Sequence, residues 1–180
     1  MDIETFQAEQ KAWTEKNFGV GPADHPFLGL FEEFGELCHA ELKAAQGIRG
    51  DAEKHEAAAK DAVGDIMIYF ADYATKRQVS VAGLMIGAST FEEVQQSHSF
   101  RLEATPKEAL FRIGRALGNA SASHMETNGT RPVEDALRQV LQEVATYCRI
   151  KGWSLDALVT ETWATVSKRD WTKNKVTGAA

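Results

Sequence analysis

Residues 30–37 read Leu30-Phe31-Glu32-Glu33-Phe34-Gly35-Glu36-Leu37, a run of glutamates set among apolar residues. Successive residues of an α-helix are rotated by about 100°, which puts Glu36 about 60° and Glu32 about 100° to one side of Glu33. The apolar residues of this part of the chain fill the arc on the other side. The stretch therefore predicts an amphipathic helix that packs through its apolar face and carries carboxylates along the edge of that face.

A second stretch, Val63-Gly64-Asp65-Ile66-Met67-Ile68-Tyr69, repeats this arrangement with aspartates. Asp61, Asp65 and Asp72 share one edge of the predicted helix, and apolar side chains occupy the neighbouring arc. If both helices pack through their apolar faces, the acidic edges meet. Carboxylates at such short range repel one another unless a cation joins them, and ligation by oxygen alone suits Mg²⁺ or Mn²⁺. The alternative is that each run is simply a solvated acidic face.

The rest of the chain also favours helices, because it is rich in helix-forming residues and shows no convincing alternation of apolar and polar residues. Asp24-His25-Pro26 resembles a helix start, with a capping residue and a proline in the first turn, and Val79-Ser80 predicts another start with Ser80 as the cap. We predict an all-α helical bundle with helices at about 2–17, 24–46, 51–78, 106–126, 133–151 and 154–171, and with no clear pattern over 87–104.

The chain also contains an internal similarity. Residues 61–84 match residues 135–158 at a constant offset of 74, and residues 34–35 match 113–114 at an offset of 79. This predicts two related halves in tandem, a half at 1–98 that carries both acidic stretches and a degenerate half at 104–174, packed as one compact domain. The second half has Phe111, Arg112, Arg115 and Gln139 where the first has Glu32, Glu33, Glu36 and Asp65, so we expect one acidic site per chain.

Composition narrows the classes of function. The 180 residues carry a net charge of −6, which argues against a broad nucleic-acid-binding surface. No basic and apolar leader opens the chain, and no apolar run is long enough to span a bilayer. We therefore expect a cytoplasmic protein without a membrane partner, in which Cys38 and Cys148 are buried free thiols.

The two acidic stretches together resemble the sequence motifs of the MazG-like all-α nucleotide pyrophosphohydrolases. This superfamily also includes the dimeric dUTPases and phosphoribosyl-ATP pyrophosphohydrolase. Residues 32–37 match the motif EExxEL. Asp65, followed by aliphatic residues and Tyr69, matches the end of the second motif, which is ExxD followed by aliphatic residues and often a tyrosine. The resemblance covers roughly residues 5–90. The chain departs from the family at Ala62, where the second motif has Glu. The neighbouring Asp61 is the candidate replacement for that carboxylate.

The resemblance implies hydrolysis of a nucleoside triphosphate, including deoxy or modified ones, to a monophosphate and pyrophosphate with Mg²⁺ or Mn²⁺. Glu33, Glu36 and Asp65 would be metal ligands, with Asp61 as an uncertain addition. Glu32 would be a further ligand or would orient the attacking water. Family members commonly pair as homodimers, and we expect the same here.

Most of the candidate substrate-binding residues lie outside the two acidic motifs. The family commonly carries basic residues near its last helix, which points to Lys168, Arg169 and Lys173 as phosphate contacts. Alternatively, these cations only complement the dipole of that helix. Tyr69, one turn beyond Asp65, Trp13 as a base-stacking ring and His25 at a helix start are further candidates, although Trp13 also fits an ordinary core position.

Two other functions fit parts of the sequence. Glu36 and His39 form an ExxH pair of the kind that binds di-iron centres, but we find no second pair in the chain. A non-catalytic module that binds nucleotides or supports assembly is the other alternative, and Ala62 is the residue that favours it.

Overall fold

The computed structural model describes residues 1–97, 105–126 and 133–179. Within these ranges the chain forms helices and no β-strand, which confirms the predicted all-α bundle. A single 3₁₀ turn spans Ala82–Leu84. The α-helices are α1 (Ile3–Phe18), α2 (Asp24–Gln46), α3 (Ala52–Lys76), α4 (Phe91–Ser97), α5 (Pro106–Met125), α6 (Val133–Lys151) and α7 (Leu155–Val166).

Two antiparallel helix pairs, α2 with α3 and α5 with α6, make up most of the bundle. Helix α3 is central, because α1, α2 and α7 all pack against it, and Val63, Met67 and Phe70 on its inner face are fully buried. Among the described helices, none combines the length and the apolar character that crossing a membrane would require. The architecture therefore places the acidic edge of α3 next to both α2 and α7.

Three local predictions were wrong. Ser80 begins no α-helix; its hydroxyl accepts the N–H of Gly83 at 3.1 Å and holds a single 3₁₀ turn. Asp24 is not the cap of α2, because it lies in the first helical turn and its carboxylate contacts His124 instead, at 3.1 Å. The last helix ends at Val166, five residues earlier than predicted, so Arg169 and its basic neighbours lie in the turns that follow.

Glutamine side chains on α1 and α4 make the same pair of hydrogen bonds. The Gln7 amide donates to the carbonyl of Val79 at 2.9 Å and accepts the N–H two residues later at 2.9 Å. The Gln95 amide donates to the carbonyl of Trp153 at 2.7 Å and accepts the N–H two residues later at 3.0 Å. Residues 79 and 153 are separated by 74 positions, the offset of the internal sequence similarity.

These matched contacts suggest a different boundary between the halves. Helix α4 packs on α6 and α7, whereas α1 packs on α3, and Asp2 and Thr90 at the starts of α1 and α4 form an isolated antiparallel bridge. If Gln95 is the counterpart of Gln7, the second half begins near Thr90 rather than at 104. The tandem organisation stays a prediction that these contacts support.

Candidate active site

The acidic edges of α2 and α3 come together, as the sequence predicted. Glu33 of α2 is half-buried, and its pKa is raised to about 8. Burial is the main cause, followed by the negative charges of Asp65, Glu36, Glu32 and Asp61, in that order. Like charges raise a carboxyl pKa only at short range, so carboxylates from both helices form one interacting group. We call these five residues the carboxylate cluster.

Asp65 is the half-buried member of the cluster on α3. Burial and the neighbouring charge of Asp61 raise its pKa to about 6, while the guanidinium of Arg169 acts in the opposite direction. Ala62, which stands where the family has Glu, is 1% exposed and belongs to the core. Asp61 is exposed on the cluster side of the same turn. A carboxylate at position 61 therefore reaches the cluster from solvent, whereas position 62 faces apolar neighbours.

Two glycines let other elements approach the cluster closely. A β-carbon at Gly29 of α2 would overlap the ring of Tyr69, so this glycine allows the ring to lie flat against α2. A β-carbon at Gly64 would overlap the hydroxyl of Thr162 on α7. Both close contacts lie within one turn of a cluster residue, and they position Tyr69 and α7 beside Asp65.

A cleft of about 510 Å³ opens from the cluster between α1, α2, α3 and the residues after α7. Glu33 and Asp65 line it on the acidic side. Its wall also includes the other predicted ligand-binding residues Trp13, His25, Tyr69 and Arg169. A cleft of this volume accommodates a nucleotide-sized molecule. Further lining residues are Gln10, Thr14, Phe18, Gly19, Gly21, Pro26, Ile68, Asp72, Lys76, Val166 and Trp171.

Aromatic rings form one wall of this cleft. Trp13 meets Phe18 edge to face with 5.7 Å between ring centroids, and Phe18 is 6.3 Å from Trp171. Trp13 is not free to turn, because its indole N–H donates to the carbonyl of Arg169 at 3.0 Å. The aromatic wall is thus built jointly by α1 and by residues that follow the last helix.

Polar contacts anchor those last residues to α1. The Asp170 carboxylate accepts the Thr172 hydroxyl at 2.5 Å and pairs with Lys16 at 3.0 Å. These contacts, with the Thr172 hydrogen bond as the largest cause, hold the pKa of Asp170 well below its usual range. The N–H of Trp171 donates to the side chain of Asn17 at 2.7 Å. Arg169 and Trp171 are therefore held at the cleft on either side of Asp170.

A second, more open cavity of about 340 Å³ lies beyond Asp65, between α3 and α7. It shares Asp65, Val166 and Arg169 with the first cleft. Its wall adds Lys60, which is paired with Glu56 at 2.6 Å, and the side chains of Asp61, Glu161, Thr162 and Thr165. Asp65 of the carboxylate cluster therefore lies where the two cavities meet, whereas Glu32 and Glu36 are not among the lining residues of either cavity. Lys76 lines the first cavity, Lys60 lines the second, and Arg169 lines both.

The basic residues after α7 separate into two groups. Arg169 lines both cavities, whereas Lys168 and Lys173 line neither. Lys173 instead lies 3.7 Å from Asp170 on the anchoring side. The cavities give no support to the predicted contact of Lys168 and Lys173 with phosphate, which rests on the sequence alone.

Some residues that line the cleft were not predicted from the sequence. Lys76 is not among the residues predicted to bind a ligand, yet its side chain is 14% exposed and lies 3.9 Å from Asp72 in the cleft. The helical periodicity of α3 does predict this position, because Lys76 and Asp65 are only about 20° apart on the helical wheel and so share one face. No local pattern marked Gln10, Phe18 or Trp171, since their role depends on the packing of distant segments.

The carboxylate cluster is the candidate site for the metal ion that the sequence predicts. No group of three or more His, Cys, Asp or Glu that could hold a metal ion occurs in the described ranges. The donor chemistry nevertheless fits Mg²⁺, which commonly uses one or two carboxylates together with waters and substrate phosphates. Burial is the main cause of the raised pKa values of Glu33 and Asp65, and neighbouring carboxylates raise both further, a repulsion that a cation would relieve.

Comparison of the chain with protein-family models, with curated proteins and with solved structures found no match.

Proposed function

We propose that this protein hydrolyses nucleoside triphosphates to the monophosphate and pyrophosphate in a reaction that requires Mg²⁺ or Mn²⁺. The observation that carries the proposal is the carboxylate cluster, which opens directly into a nucleotide-sized cleft walled by aromatic rings. The proposed type of reaction comes from the resemblance of the two acidic stretches to the MazG-like sequence motifs. A bound divalent cation would neutralise phosphate charge and lower the pKa of the attacking water.

Each group of residues has a separate task in this proposal. Glu33, Glu36 and Asp65 hold the cation, with Asp61 able to join from solvent. Glu32, exposed at the edge of the cluster, orients the attacking water. Arg169, which faces Asp65 and lines both cavities, binds the phosphate chain. The aromatic wall excludes water from one side of the bound nucleoside.

The two cavities suggest how the substrate lies. The larger cleft has the aromatic wall and suits a nucleoside, whereas the second cavity has Lys60, Arg169 and the hydroxyls of Thr162 and Thr165 and suits phosphate groups. Asp65 lies in the wall common to both cavities. The bond between the α- and β-phosphates would therefore lie at the carboxylate cluster.

The test is a turnover screen of the full chain with the common ribo- and deoxyribonucleoside triphosphates in Mg²⁺ or Mn²⁺. Phosphate release is measured with and without added inorganic pyrophosphatase. We expect phosphate only when pyrophosphatase is present, because cleavage between the α- and β-phosphates releases pyrophosphate. Tight binding of one nucleotide without turnover of any would refute the enzyme and favour the non-catalytic nucleotide-binding alternative.

A further inference from the structure

Asp72 and Lys76 of α3 place two opposite charges in the wall of the larger cleft. Each side chain is 14% exposed, and the Lys76 Nζ lies 3.9 Å from the Asp72 Oδ1, which is too far for a hydrogen bond. Neither charged group is hydrogen-bonded to another residue that the structure describes. Charges withdrawn from water are normally hydrogen-bonded, so this pair offers a ligand in the cleft an anion and a cation side by side.

The pair lies at a definite distance from the carboxylate cluster. Asp72 and Lys76 follow Asp65 by seven and eleven residues, so the three side chains lie within about 40° of one another on the helical wheel. All three line the same cleft, with Asp72 about 10 Å from Asp65 along the helix axis. This distance is comparable to the span of a 5′-nucleotide from its α-phosphate to the outer edge of its base. With the phosphates at the carboxylate cluster, the base therefore reaches the pair, whereas the sugar does not.

The chemistry of the pair predicts which base it fits. A carboxylate presents two acceptor oxygens side by side, and the neighbouring ammonium presents donors. The complementary edge of a base therefore has two adjacent donors followed by an acceptor. Among the common nucleobases only guanine has this order of groups, in N2–H₂, N1–H and O6. Adenine and cytosine have a single donor beside an acceptor, and the N3–H of uracil or thymine lies between two carbonyl oxygens.

We propose that Asp72 and Lys76 select guanine nucleotides. The Asp72 carboxylate accepts hydrogen bonds from N1–H and N2–H₂ of the base, and the Lys76 ammonium donates to O6. Adenine in the same position reverses both contacts, because its N1 acceptor faces the carboxylate and its amine faces the ammonium. The selection rests on the proposed function in taking the ligand to be a nucleotide whose phosphates lie at the carboxylate cluster.

The test measures binding rather than turnover. Calorimetric titrations of the full chain in Mg²⁺ compare dGMP with dIMP, which lacks only the N2 amine, with dAMP, dCMP and dTMP, and with deoxyribose 5-phosphate, which lacks the base. We expect dGMP to bind about tenfold or more tightly than each of the others, since each loses at least one charge-assisted hydrogen bond. No binding of dGMP, or binding of any of the other compounds as tightly as dGMP, would overturn the proposal.

Variants of the pair assign the preference to these two side chains. Asp72→Asn replaces one acceptor oxygen with an amide nitrogen that cannot accept, so dGMP and dIMP should bind within about twofold of each other. Lys76→Met removes the donor to O6, which both bases carry, so it should weaken both about tenfold and leave their ratio unchanged.

The matched control is Asp135→Asn, which changes an exposed carboxylate on α6 that is paired with Arg138. This variant should keep the full preference for dGMP. An Asp72→Asn chain that still prefers dGMP to dIMP, or a Lys76→Met chain that binds dGMP as tightly as the natural chain, would refute the assignment.

The outcome separates this inference from the proposed function. A chain that prefers dGMP but turns over no triphosphate would refute the hydrolase alone. A chain that hydrolyses triphosphates of all bases equally, and binds the mononucleotides equally, would refute guanine selection alone.

Discussion

Gly64 of α3 lies against the hydroxyl of Thr162 on α7 so closely that a β-carbon at position 64 would overlap it. Gly64 directly precedes Asp65 of the carboxylate cluster, and α7 leads within three residues of its end to Arg169. One interhelical contact therefore determines how near the guanidinium comes to the acidic edge.

Replacing Gly64 with alanine should separate α3 from α7. We expect Gly64→Ala to lower the free energy of unfolding by about 1–3 kcal/mol, as overpacked cores do, and to reduce turnover because Arg169 moves with α7. Urea unfolding followed by circular dichroism measures the first effect. Gly118→Ala on α5 is the control: it meets no atom within 4 Å and should leave stability equal or higher.

A second substitution identifies the overlapping group. Thr162→Ala removes the hydroxyl and methyl nearest to position 64, so it should restore part of the stability lost in Gly64→Ala. If Gly64→Ala is as stable as Gly118→Ala, the close contact does not limit the approach of α7.

Neutral replacements in the carboxylate cluster test the assignment of metal ligands. Glu33→Gln and Glu36→Gln should each lower kcat/KM by at least about 100-fold at saturating Mg²⁺, since each removes a charged oxygen that would hold the cation. Glu15→Gln, on the exposed side of α1 and paired with Lys11, removes one negative charge elsewhere and should leave turnover unchanged. Full turnover by Glu33→Gln would remove Glu33 from the proposed site.

The basic residues after α7 should differ in their effect on substrate binding. Arg169→Gln removes the cation that faces Asp65 and should raise KM for the triphosphate about tenfold or more. Lys168→Gln and Lys173→Gln remove cations that line neither cavity and should change KM by less than about twofold. Steady-state kinetics of the three variants at fixed Mg²⁺ makes the comparison. An equal effect of all three would indicate only a general electrostatic attraction.

Asp170 should make the stability of the chain depend on pH. Its pKa in the folded chain is below the ordinary value of 3.8, so its contribution is complete above pH 4 and declines as the carboxylate is protonated in stronger acid. We expect Asp170→Asn to lower the thermal midpoint at pH 7, and the difference from the natural chain to shrink below about pH 4. Lys16→Gln and the double variant show how much of the effect comes from that ion pair. A difference that stays constant down to pH 2 would contradict this account.

The glutamine contacts of α1 and α4 test the tandem organisation. Gln7→Leu leaves the Val79 carbonyl and the Val81 N–H without their partner, and Gln95→Leu does the same to Trp153 and Leu155. Each variant should lose about 2–3 kcal/mol of unfolding free energy, because two backbone groups become unpaired. Chemical denaturation measures both losses. A large loss in one variant and none in the other would show that the two contacts are not equivalent.

Helical periodicity was sufficient to predict the bundle and to predict that Glu33 and Asp65 lie close together. Both predictions depend on which residues share a face within a single helix. It failed at Ser80, where a capping residue precedes only a 3₁₀ turn. It also missed Trp171 and Gln10. Trp171 is held at the cleft by a hydrogen bond to Asn17, 154 residues earlier in the chain. Gln10 lines the cleft because α1 packs on α3, a contact between distant segments that the sequence does not reveal.

The anchoring of Asp170 and Trp171 on α1 has a consequence for synthesis of the protein. Trp13 and Asn17 leave the ribosome more than 150 residues before their partners after α7. A growing chain can form the α2–α3 pair and its acidic edge but lacks the wall that encloses a ligand. The wall of the cleft should therefore be complete only after residue 171 has left the ribosome.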